Sequence, residues 1–295
     1  MEGFPHHHGD ALRLLRGLPG KVRPGEPLSR YTTFRIGGPA WCLFVPADRA
    51  AFAEAISRAR AAGIPWFVLG GGSNVLFPDE GFPGLVIATR GLRALESDGT
   101  RLFAEAGVPL PALASRGLSA LAGIPGTVGG ALIMNAGTRA GSISRYVRAV
   151  EVLGHDGRPR RLPAAECGFS YRSSRLKRLH LPVLGAEFAT PGDAAISADE
   201  LLQRRRKSQP LGLPSAGCVF RNPPDAPPAG WLIDRAGFKG MRLGDALVSP
   251  VHANFICNLG RARAADVLAL IERIREGVRH LFGVLLEPEI EIVWA

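Results

Sequence analysis

The chain has 295 residues, which is enough for a large hydrophobic core and, by length alone, for about two domains. Hydrophobic residues make up 46% and charged residues 21%, a composition typical of ordinary soluble globular proteins. No apolar stretch approaches the roughly 20 residues that a membrane span requires, so membrane insertion is not expected. The N-terminal residues lack the basic patch and long apolar run of a secretory signal, which favours a cytoplasmic protein.

The net charge of +10 and the excess of arginine over lysine indicate a polyanionic partner. Nucleic acid, an anionic membrane surface and phosphorylated small molecules are all compatible with this charge, because the planar fork of arginine suits phosphate and carboxylate groups. A biased genome composition would produce the same excess without any functional meaning. The charge alone therefore does not choose among these classes.

The cysteine and histidine content gives no sign of a metal site or a disulfide framework. The four cysteines lie far apart and form no CxxC pair, which favours reduced, buried thiols: Cys42, Cys167, Cys218 and Cys257. The short tract His6–His8 has no companion ligands, so we expect it to be solvated. No metal is therefore predicted.

In chain order, the segment up to Gly25 is interpreted as a cap or tail, and the first regular pattern is strand–helix–strand. Residues 41–46 predict a strand, and Asp48 is a good N-cap for an alanine-rich helix over 50–62 that Gly63 ends. Further strands are predicted over Trp66–Leu69, 84–88, 101–106 and Val147–Leu153. Glycine- and proline-rich connectors separate them, so this half is expected to be α+β with exposed loops.

The second half begins after a small, polar segment over 190–200, which is the predicted domain boundary. Helices are predicted over 201–208, 231–235 and Ala264–Phe282, the last with apolar residues at three- and four-residue steps along one face. The chain ends on a strand-like run over 289–294. We therefore predict a first domain over 1–191, with lobes of roughly 1–77 and 78–191, and a second domain over 192–295.

A glycine-rich turn, LGGGSNVL, follows the second predicted strand. Gly70, Gly71 and Gly72 allow positive φ and a close approach of backbone N–H groups to a ligand, while Ser73 and Asn74 add hydrogen-bond donors. Such a turn suits a diphosphate group, although a tight structural turn would show the same residues. The spacing is neither GxGxxG nor that of a P-loop, which excludes a Rossmann or NTPase interpretation.

A second glycine-rich stretch, GIPGTVGGALIMNAG over residues 123–137, places small residues at close intervals in an apolar segment. Its backbone would lie flat against a rigid planar ligand, with Thr127 and Asn135 supplying hydrogen bonds. A purely structural loop is the alternative, but such a loop would not need so many glycines within an apolar segment.

Six motifs occur in the order and approximate spacing of one enzyme family. They are GGGSNVL, GIPGTVGGALIMNAG, SYRSSRLK, PSAGCVFRNP, HANFICN and LEPEIEI, and together they extend from about Tyr31 to Trp294. Each motif alone is modest, but the ordered set resembles the UDP-N-acetylenolpyruvoylglucosamine reductase family. The resemblance implies an α+β fold, with a two-part FAD-binding domain of the vanillyl-alcohol-oxidase type and a C-terminal α+β substrate-binding domain.

The family resemblance implies a reductase of peptidoglycan synthesis. NADPH would reduce a non-covalently bound FAD, and the enolpyruvyl ether of UDP-N-acetylglucosamine enolpyruvate would then accept hydride at its methylene carbon to give UDP-N-acetylmuramate. The chain would act in the cytoplasm as a monomer, with no nucleic-acid partner and no membrane insertion. The implied cofactor contacts are Thr33, Arg35, Ile36, Gly37, Gly70, Gly71, Gly72, Ser73, Asn74, Gly123, Ile124, Pro125, Gly126, Thr127, Gly129, Gly130, Asn135, Ala136 and Gly137.

By the same resemblance, three residues carry the chemistry. Arg172 of SYRSSRLK would stabilise the carboxylate-bearing intermediate, although without the family a surface arginine would be the favoured interpretation. Cys218 stands where the family usually has a proton-donating serine, and we take its thiol as the acid. Glu287, Glu289 and Glu291 alternate along the last predicted strand, where solvent-facing carboxylates are the plain alternative. Glu289 matches the catalytic glutamate best, and Glu287 is the competing choice.

Six further residues are expected to hold the substrate: Tyr171, Arg221, Asn222, Lys239, His252 and Asn254. A hydrogen-bonded structural histidine is nearly as good an interpretation of His252. Because only a short stretch separates Tyr171 from PSAGC, the chain resembles the shorter branch of the family, without an inserted subdomain and its lid tyrosine. A different element must then cover the substrate, and the sequence does not identify it.

Two other functions compete with this one. Another flavoenzyme of the same fold would share both glycine-rich stretches but would not need the later motifs together. A non-enzymatic nucleic-acid-binding protein would fit the net charge, but aromatic residues are only 7% and do not interleave with the basic run over 204–207. That run is expected on a helix, either as a solvated face or as a contact to the UDP diphosphate.

Overall fold

The structure is a computed structural model that describes residues 8–189 and 197–294. The described residues form strands β1 (Gly20–Pro24), β2 (Ala40–Pro46), β3 (Trp66–Leu69), β4 (Val75–Leu76), β5 (Phe82–Ala88), β6 (Leu95–Ser97), β7 (Arg101–Glu105), β8 (Gly137–Thr138), β9 (Gly141–Ser142), β10 (Val147–Leu153), β11 (Pro159–Pro163), β12 (Val183–Ala189), β13 (Ser215–Cys218), β14 (Arg242–Leu243), β15 (Ala246–Val248), β16 (Phe255–Asn258) and β17 (Glu291–Ile292). The α-helices are α1 (His8–Leu14), α2 (Arg49–Ala61), α3 (Leu110–Ala114), α4 (Val128–Met134), α5 (Arg175–Arg178), α6 (Ala198–Ser208), α7 (Ala229–Arg235) and α8 (Ala264–Phe282).

The described chain divides into two compact units. Unit 1 consists of residues 8–26, 40–71, 83–189 and 197–204, and unit 2 consists of residues 27–39, 72–82 and 205–294. Unit 2 therefore collects two short segments from the N-terminal part of the sequence. The boundary predicted near 191 lies outside the described residues, so the predicted domain limits stay a prediction.

Unit 1 contains a four-stranded sheet in the order β1-β2-β5-β3, with β1 antiparallel to β2 and β3 parallel to β5. Helix α2 connects β2 to β3 and packs Phe52 and Ile56 into a core that includes Trp41. Asp48 begins this helix by accepting a hydrogen bond from the Ala51 backbone N–H (2.7 Å), as predicted for an N-cap residue.

A second sheet of unit 1 has the order β11-β10-β12-β7-β6, and its adjacent strands are antiparallel. Helix α4, which carries the second glycine-rich stretch, packs against β12 and contributes Val128 and Leu132 to the core below this sheet. The helix begins after Thr127 and ends at Asn135, which adopts a left-handed conformation with φ of 46°. The sheet therefore fixes the position of the glycine-rich stretch.

Unit 2 is built on an antiparallel sheet in the order β13-β16-β15-β14, together with the long helix α8. The buried face of α8 follows the predicted period and consists of Ala264, Val267, Leu270, Ile271, Ile274 and Val278. Asp79 accepts hydrogen bonds from the backbone N–H groups of Ala264 (2.8 Å) and Ala265 (3.1 Å), the first two residues of α8. This pairing helps to explain why residues 72–82 belong to unit 2.

Most predicted elements are confirmed, and β3, β10 and α8 have the predicted bounds. The interpretation of the N-terminal segment as a tail is wrong, because β1 pairs along its whole length with β2. Its side chains are half-buried or exposed, as is common on an edge strand, so the apolar signal was weak. The last predicted strand is shorter than expected, since only Glu291–Ile292 pair regularly, in parallel with β4. No helix within residues 8–189 and 197–294 is long and apolar enough to cross a membrane.

Candidate active site

The two glycine-rich loops lie directly against each other in unit 1. A Cβ added at Gly70 would lie 2.6 Å from Thr127 Oγ1, and one added at Gly71 would lie 2.7 Å from the Cα of Gly126. Cβ atoms do not approach other atoms so closely, so both positions need glycine for the two backbones to meet. The structure thus brings together predicted cofactor contacts from two separate motifs.

Thr127 and Gly130 mark the part of the second loop that offers groups to a ligand. Thr127 precedes α4, but its side chain makes no capping hydrogen bond. Its Oγ1 atom is buried and finds no hydrogen-bond partner in the described part of the chain, a state that a polar ligand group would relieve. Gly130 is exposed, and a Cβ there would meet nothing within 4 Å. A buried hydroxyl near open glycine backbone fits a flat ligand with polar edges, such as a flavin.

Three of the predicted cofactor contacts have structural roles in this fold. Asn135 Nδ2 donates to the Ser170 carbonyl (2.9 Å), and its Oδ1 accepts from the Ser144 backbone N–H (3.4 Å). The side chains of Ile36 and Ile124 are only 2% and 8% exposed and belong to hydrophobic cores. Any contact that these two isoleucines make with a cofactor is therefore expected to come from the backbone.

Arg172 lies at the tip of a tight turn in unit 1. Two backbone hydrogen bonds close the turn, from Ser170 N to the Ser173 carbonyl (3.0 Å) and from Ser173 N to the Ser170 carbonyl (3.2 Å). The φ of Arg172 is 52°, which is uncommon for a residue other than glycine, and its guanidinium carbon lies 5.4 Å from the centre of the Tyr171 ring. Ser174 anchors the turn by donating to a carbonyl of α4 (2.8 Å). Strained backbone held in this way is typical of functional positions.

In unit 2, Thr33 ties the first predicted cofactor segment to two other segments. Its Oγ1 donates to the carbonyls of Ser215 (2.7 Å) and Gly72 (3.3 Å). Gly72 has φ of 63°, and a Cβ there would collide with the Tyr31 carbonyl oxygen. Arg35 is exposed and also has positive φ, at 57°. The strained backbone of this segment is thus held by hydrogen bonds within unit 2.

In unit 2, Glu289 forms a backbone hydrogen bond with Val219, the residue that follows Cys218. Strand β13 ends at Cys218, and the Glu289 backbone N–H donates to the Val219 carbonyl (2.7 Å). Asn74 Nδ2 donates to the Glu289 carbonyl (3.1 Å). The Glu289 side chain is half-buried, whereas that of Glu287 is exposed. The two candidates therefore differ in exposure, and Glu289 stays the predicted catalytic glutamate.

Arg205 belongs to the basic run over 204–207, within which the sequence did not distinguish one residue from another. It lies in the last turn of α6, is half-buried, and its Nε atom has no hydrogen-bond partner among the described residues. Burial lowers the pKa of Arg205, and the charge of an ionised Cys218 acts in the opposite direction. The two side chains are therefore near enough to influence each other electrostatically.

The side-chain amide of Asn254, a predicted substrate contact, already forms hydrogen bonds within the protein. Its Oδ1 accepts from the Phe220 backbone N–H (2.9 Å) and its Nδ2 donates to the Phe220 carbonyl (2.8 Å). The side chain is 3% exposed, so its amide braces the segment after Cys218 and is not available to a ligand. Asn222 also serves the backbone, because its Oδ1 accepts from Ala229 N–H at the start of α7 (3.0 Å).

Two of the remaining predicted substrate contacts, Lys239 and His252, differ in their surroundings. Lys239 is exposed and forms an ion pair with Asp234 (2.8 Å). His252 is half-buried, and its Nδ1 accepts from the Asn254 backbone N–H (3.2 Å), which leaves the hydrogen on Nε2. Burial lowers the pKa of His252, and the nearby charge of Lys239 acts in the same direction. This hydrogen bond supports the interpretation of His252 as a structural residue, with Nε2 still able to donate.

The described residues offer no metal centre. Within residues 8–189 and 197–294, no group of three His, Cys, Asp or Glu side chains is placed to hold a metal ion. The tract His6–His8 lies outside the residues whose side chains the structure describes.

Two sequence profiles match the chain in the predicted order. An FAD binding domain matches residues 40–163, and the C-terminal domain of UDP-N-acetylenolpyruvoylglucosamine reductase matches residues 209–293. The first match covers the two glycine-rich loops, and the second covers the segment from Cys218 to Glu289. These matches confirm the predicted α+β fold, with an FAD-binding domain followed by a separate C-terminal domain.

Relatives match over nearly the whole chain. The UDP-N-acetylenolpyruvoylglucosamine reductase of Moorella thermoacetica is 46% identical over 292 residues, covering 96% of this chain and 96% of that protein. The enzyme of the same name from Heliobacterium modesticaldum is 44% identical over 293 residues, covering 95% of this chain and 93% of that protein. The crystal structure of UDP-N-acetylenolpyruvylglucosamine reductase (MurB) from Thermus caldophilus is 39% identical, has a TM-score of 0.75, and covers 94% of this chain and 100% of that chain. Together with the site geometry, these matches show that the chain belongs to the UDP-N-acetylenolpyruvoylglucosamine reductase family.

Proposed function

We propose that Arg172, Cys218 and Glu289 carry the chemistry of an FAD-dependent reductase of peptidoglycan synthesis. As a member of its family, the chain reduces the enolpyruvyl ether of UDP-N-acetylglucosamine enolpyruvate to UDP-N-acetylmuramate, with NADPH as the reductant. The match to the family's C-terminal domain over residues 209–293 carries this conclusion. Another flavoenzyme with a similar FAD-binding domain would not need that second domain.

The residues of unit 1 fit an FAD. The glycine backbone of residues 70–71 and 126–130 would hold it, and Thr127 Oγ1 is a buried hydroxyl ready to form a hydrogen bond. When bound and reduced, FAD supplies the hydride that adds to the methylene carbon of the substrate. The protein's own tasks are then to bind both molecules, to stabilise the negative charge that develops on the substrate, and to deliver a proton.

Arg172 is proposed to stabilise that charge. When hydride reaches the methylene carbon, the neighbouring carbon becomes electron-rich and the charge spreads into its carboxylate. A guanidinium fork donates two parallel hydrogen bonds to a carboxylate, and donors fixed in advance stabilise a developing anion most strongly. The anchored turn around Arg172 supplies such fixed geometry, and the half-buried side chain reduces competition from water.

Cys218 is proposed to protonate the carbon that bears the carboxylate. A thiol is intrinsically more acidic than the serine hydroxyl usual in the family, so it can also donate a proton. Gly217 precedes it with φ of 80°, and a Cβ there would meet nothing within 4 Å. The residue before the thiol therefore adds no side chain to its surroundings.

Glu289 is proposed to stabilise or protonate the enol form of the intermediate. Its backbone is held on both sides, by the Val219 carbonyl and by the Asn74 amide, and its side chain is half-buried. A carboxyl group on a backbone held in this way can both accept and donate a proton, which suits it to acid–base work.

We also propose that the enzyme works in the cytoplasm as a monomer. All four cysteines are reduced thiols, and three of them are buried. Free thiols persist in reducing compartments, which supports a cytoplasmic location. Size-exclusion chromatography with light scattering tests the monomer, and a stable dimer would overturn that part of the proposal.

An absorbance spectrum of the purified protein, followed by anaerobic addition of NADPH and then of the UDP-enolpyruvyl sugar, tests the reaction as a whole. We expect flavin bands that bleach with NADPH and return when the sugar is added. A protein that remains colourless after incubation with FAD would overturn the proposal. Bleaching without recovery would mean that the flavin is functional but that the substrate is a different one.

A further inference from the structure

The end of helix α6 carries two side chains with buried polar atoms that lack partners. Arg205 Nε and Gln209 Oε1 have no hydrogen-bond partner within residues 8–189 and 197–294. The Gln209 backbone N–H donates to the Arg205 carbonyl (2.9 Å), so the helical turn continues and the two side chains lie on the same face. Buried polar groups in native proteins are normally paired, so two orphans one turn apart indicate a missing polar partner.

The other basic residues of the run over 204–207 have different surroundings. Arg204 forms an ion pair with Glu200 (2.6 Å), and Arg206 and Lys207 are exposed to solvent. Arg205 alone in this run is half-buried, and no acidic residue that the structure describes forms an ion pair with it. Its Nε atom is therefore withdrawn from solvent, and no acidic side chain among the described residues forms an ion pair with its guanidinium.

The surroundings of Arg205 favour an anion. Burying a cation costs free energy unless an opposite charge or hydrogen-bond acceptors compensate for the lost water. Cys218 is near enough to interact electrostatically, but its thiol must stay protonated if it is to act as the acid. An ionised Cys218 therefore cannot serve as the counter-charge of Arg205 during the reaction. We infer that a ligand supplies the anion.

We propose that Arg205 binds the carboxylate of the substrate's enolpyruvyl group, with Gln209 Oε1 accepting a hydrogen bond from a substrate N–H or O–H. This inference rests on the proposed function, in which Cys218 protonates the carbon that bears this carboxylate. The carboxylate is one bond from that carbon, so it is the substrate anion nearest to Cys218. The diphosphate is attached at a different carbon of the sugar.

The test compares two ligands on the FAD-bound enzyme in the absence of NADPH, by isothermal titration calorimetry. UDP-N-acetylglucosamine enolpyruvate carries the carboxylate, and UDP-N-acetylglucosamine carries the same diphosphate without it. We expect Arg205→Leu to weaken binding of the first by about 10- to 100-fold, as for loss of a charged hydrogen bond, and to leave the second unchanged. Arg205→Lys keeps the charge but loses the fork, so we expect a smaller loss. Arg206→Leu, at the exposed neighbouring position, is the matched control and should affect neither ligand.

Each other outcome overturns the inference. Equal weakening of both ligands would assign Arg205 to the diphosphate, and unchanged binding of both would leave it with no part in recognition. If Arg205→Leu does not retain FAD, the ratio of the two affinities in Arg205→Lys decides in the same way. Failure of the proposed function is separate, because wild-type enzyme would then not bind the enolpyruvyl sugar at all.

Discussion

The backbone N–H of Glu289 donates a hydrogen bond to the carbonyl of Val219, with 2.7 Å between nitrogen and oxygen. The C-terminal segment is thereby fixed beside the end of β13, where Cys218 lies. Backbone pairing thus contributes to the positions of both proposed catalytic groups of unit 2. Substitutions of either side chain should therefore alter the chemistry and leave this pairing in place.

Replacing Cys218 tests whether its thiol donates the proton or has no part in the reaction. Cys218→Ser should retain turnover because a hydroxyl can also donate a proton, whereas Cys218→Ala should lose about 10²- to 10⁴-fold, the usual contribution of a general acid. Steady-state kinetics with the UDP-enolpyruvyl sugar measures the loss. Anaerobic reduction of the flavin by NADPH is the internal control, and it should proceed at the same rate in all three proteins. Full activity of Cys218→Ala would show that Cys218 is not the proton donor.

The four cysteines should differ sharply in reactivity. Cys42, Cys167 and Cys257 are buried, and burial raises the pKa of Cys42 to about 12 and the pKa of each of the other two to about 11. Cys218 is the half-buried one, so titration of the native protein with Ellman's reagent near neutral pH should modify one thiol quickly. After unfolding, all four should react.

The Cys218→Ser variant is the control for that assignment, and in the native state it should show no fast-reacting thiol. The UDP-enolpyruvyl sugar should slow the reaction of the wild-type thiol, because substrate would occupy the space beside it. A fast thiol that persists in Cys218→Ser would show that one of the three buried cysteines becomes accessible.

The sequence predicts those helices and strands whose apolar residues follow a clear local pattern. β3 and α8 were predicted with their bounds because a compact apolar strand and a 19-residue helix with one apolar face are strong signals. The composition of unit 2 was not predicted. Segments 27–39 and 72–82 belong to it, and hydrogen bonds from Asn258 Nδ2 to the Phe34 carbonyl (3.0 Å) and from α8 to Asp79 connect distant parts of the chain. Such long-range pairs leave no periodic trace in the sequence.

The roles of the site residues are likewise only partly predictable from the sequence. A family motif indicates which residues are special, but it does not distinguish a polar side chain that binds a ligand from one that braces the backbone, as Asn254 does for Phe220. Arg205 does not stand out in the sequence because it lies in a run of basic residues that fits a solvated face as well as a contact to the UDP diphosphate. A signal was present, since it follows Leu201 by four residues and precedes Gln209 by four, which places all three on one helical face.

Two glycine substitutions should distinguish a glycine needed for packing of the loops from a glycine that contacts the cofactor. At Gly71 an added Cβ would lie 2.7 Å from the Cα of Gly126, so Gly71→Ala should destabilise the apoprotein by about 1–3 kcal/mol, as overpacking does. At Gly130 an added Cβ meets nothing, and alanine is the better helix former by up to about 1 kcal/mol. Gly130→Ala should therefore keep or raise the stability of the apoprotein while weakening FAD binding.

Thermal unfolding of the apoproteins and titration of flavin fluorescence give the two quantities independently. The decisive comparison is Gly130→Ala, where stability and affinity should move in opposite directions. If this variant binds FAD as tightly as wild type, the flavin does not lie against the first turn of α4, and the proposed cofactor contact at Gly130 must be abandoned.

The stability of the protein should depend on pH through His252. Burial lowers the pKa of this imidazole in the folded protein, and the charge of Lys239 contributes in the same direction. The unfolded chain therefore binds the proton more readily than the folded one. The stability that neutral His252 contributes is fully present above the unfolded pKa, about 6.5, and is lost as the pH falls from there through the lower folded pKa.

Urea unfolding between about pH 8 and pH 5 measures this dependence, with 6.5 as the point from which the effect should begin. His252→Gln keeps an acceptor for the Asn254 backbone N–H but cannot titrate, so the wild type should lose free energy of unfolding relative to this variant as the pH falls. Above pH 7 the difference between the two should be constant. His155→Gln, at an exposed position, is the control and should run parallel to wild type throughout. If His252→Gln also runs parallel to wild type, then His252 is not held neutral by the fold, and its Nε2 becomes a stronger candidate for a charged contact with the substrate.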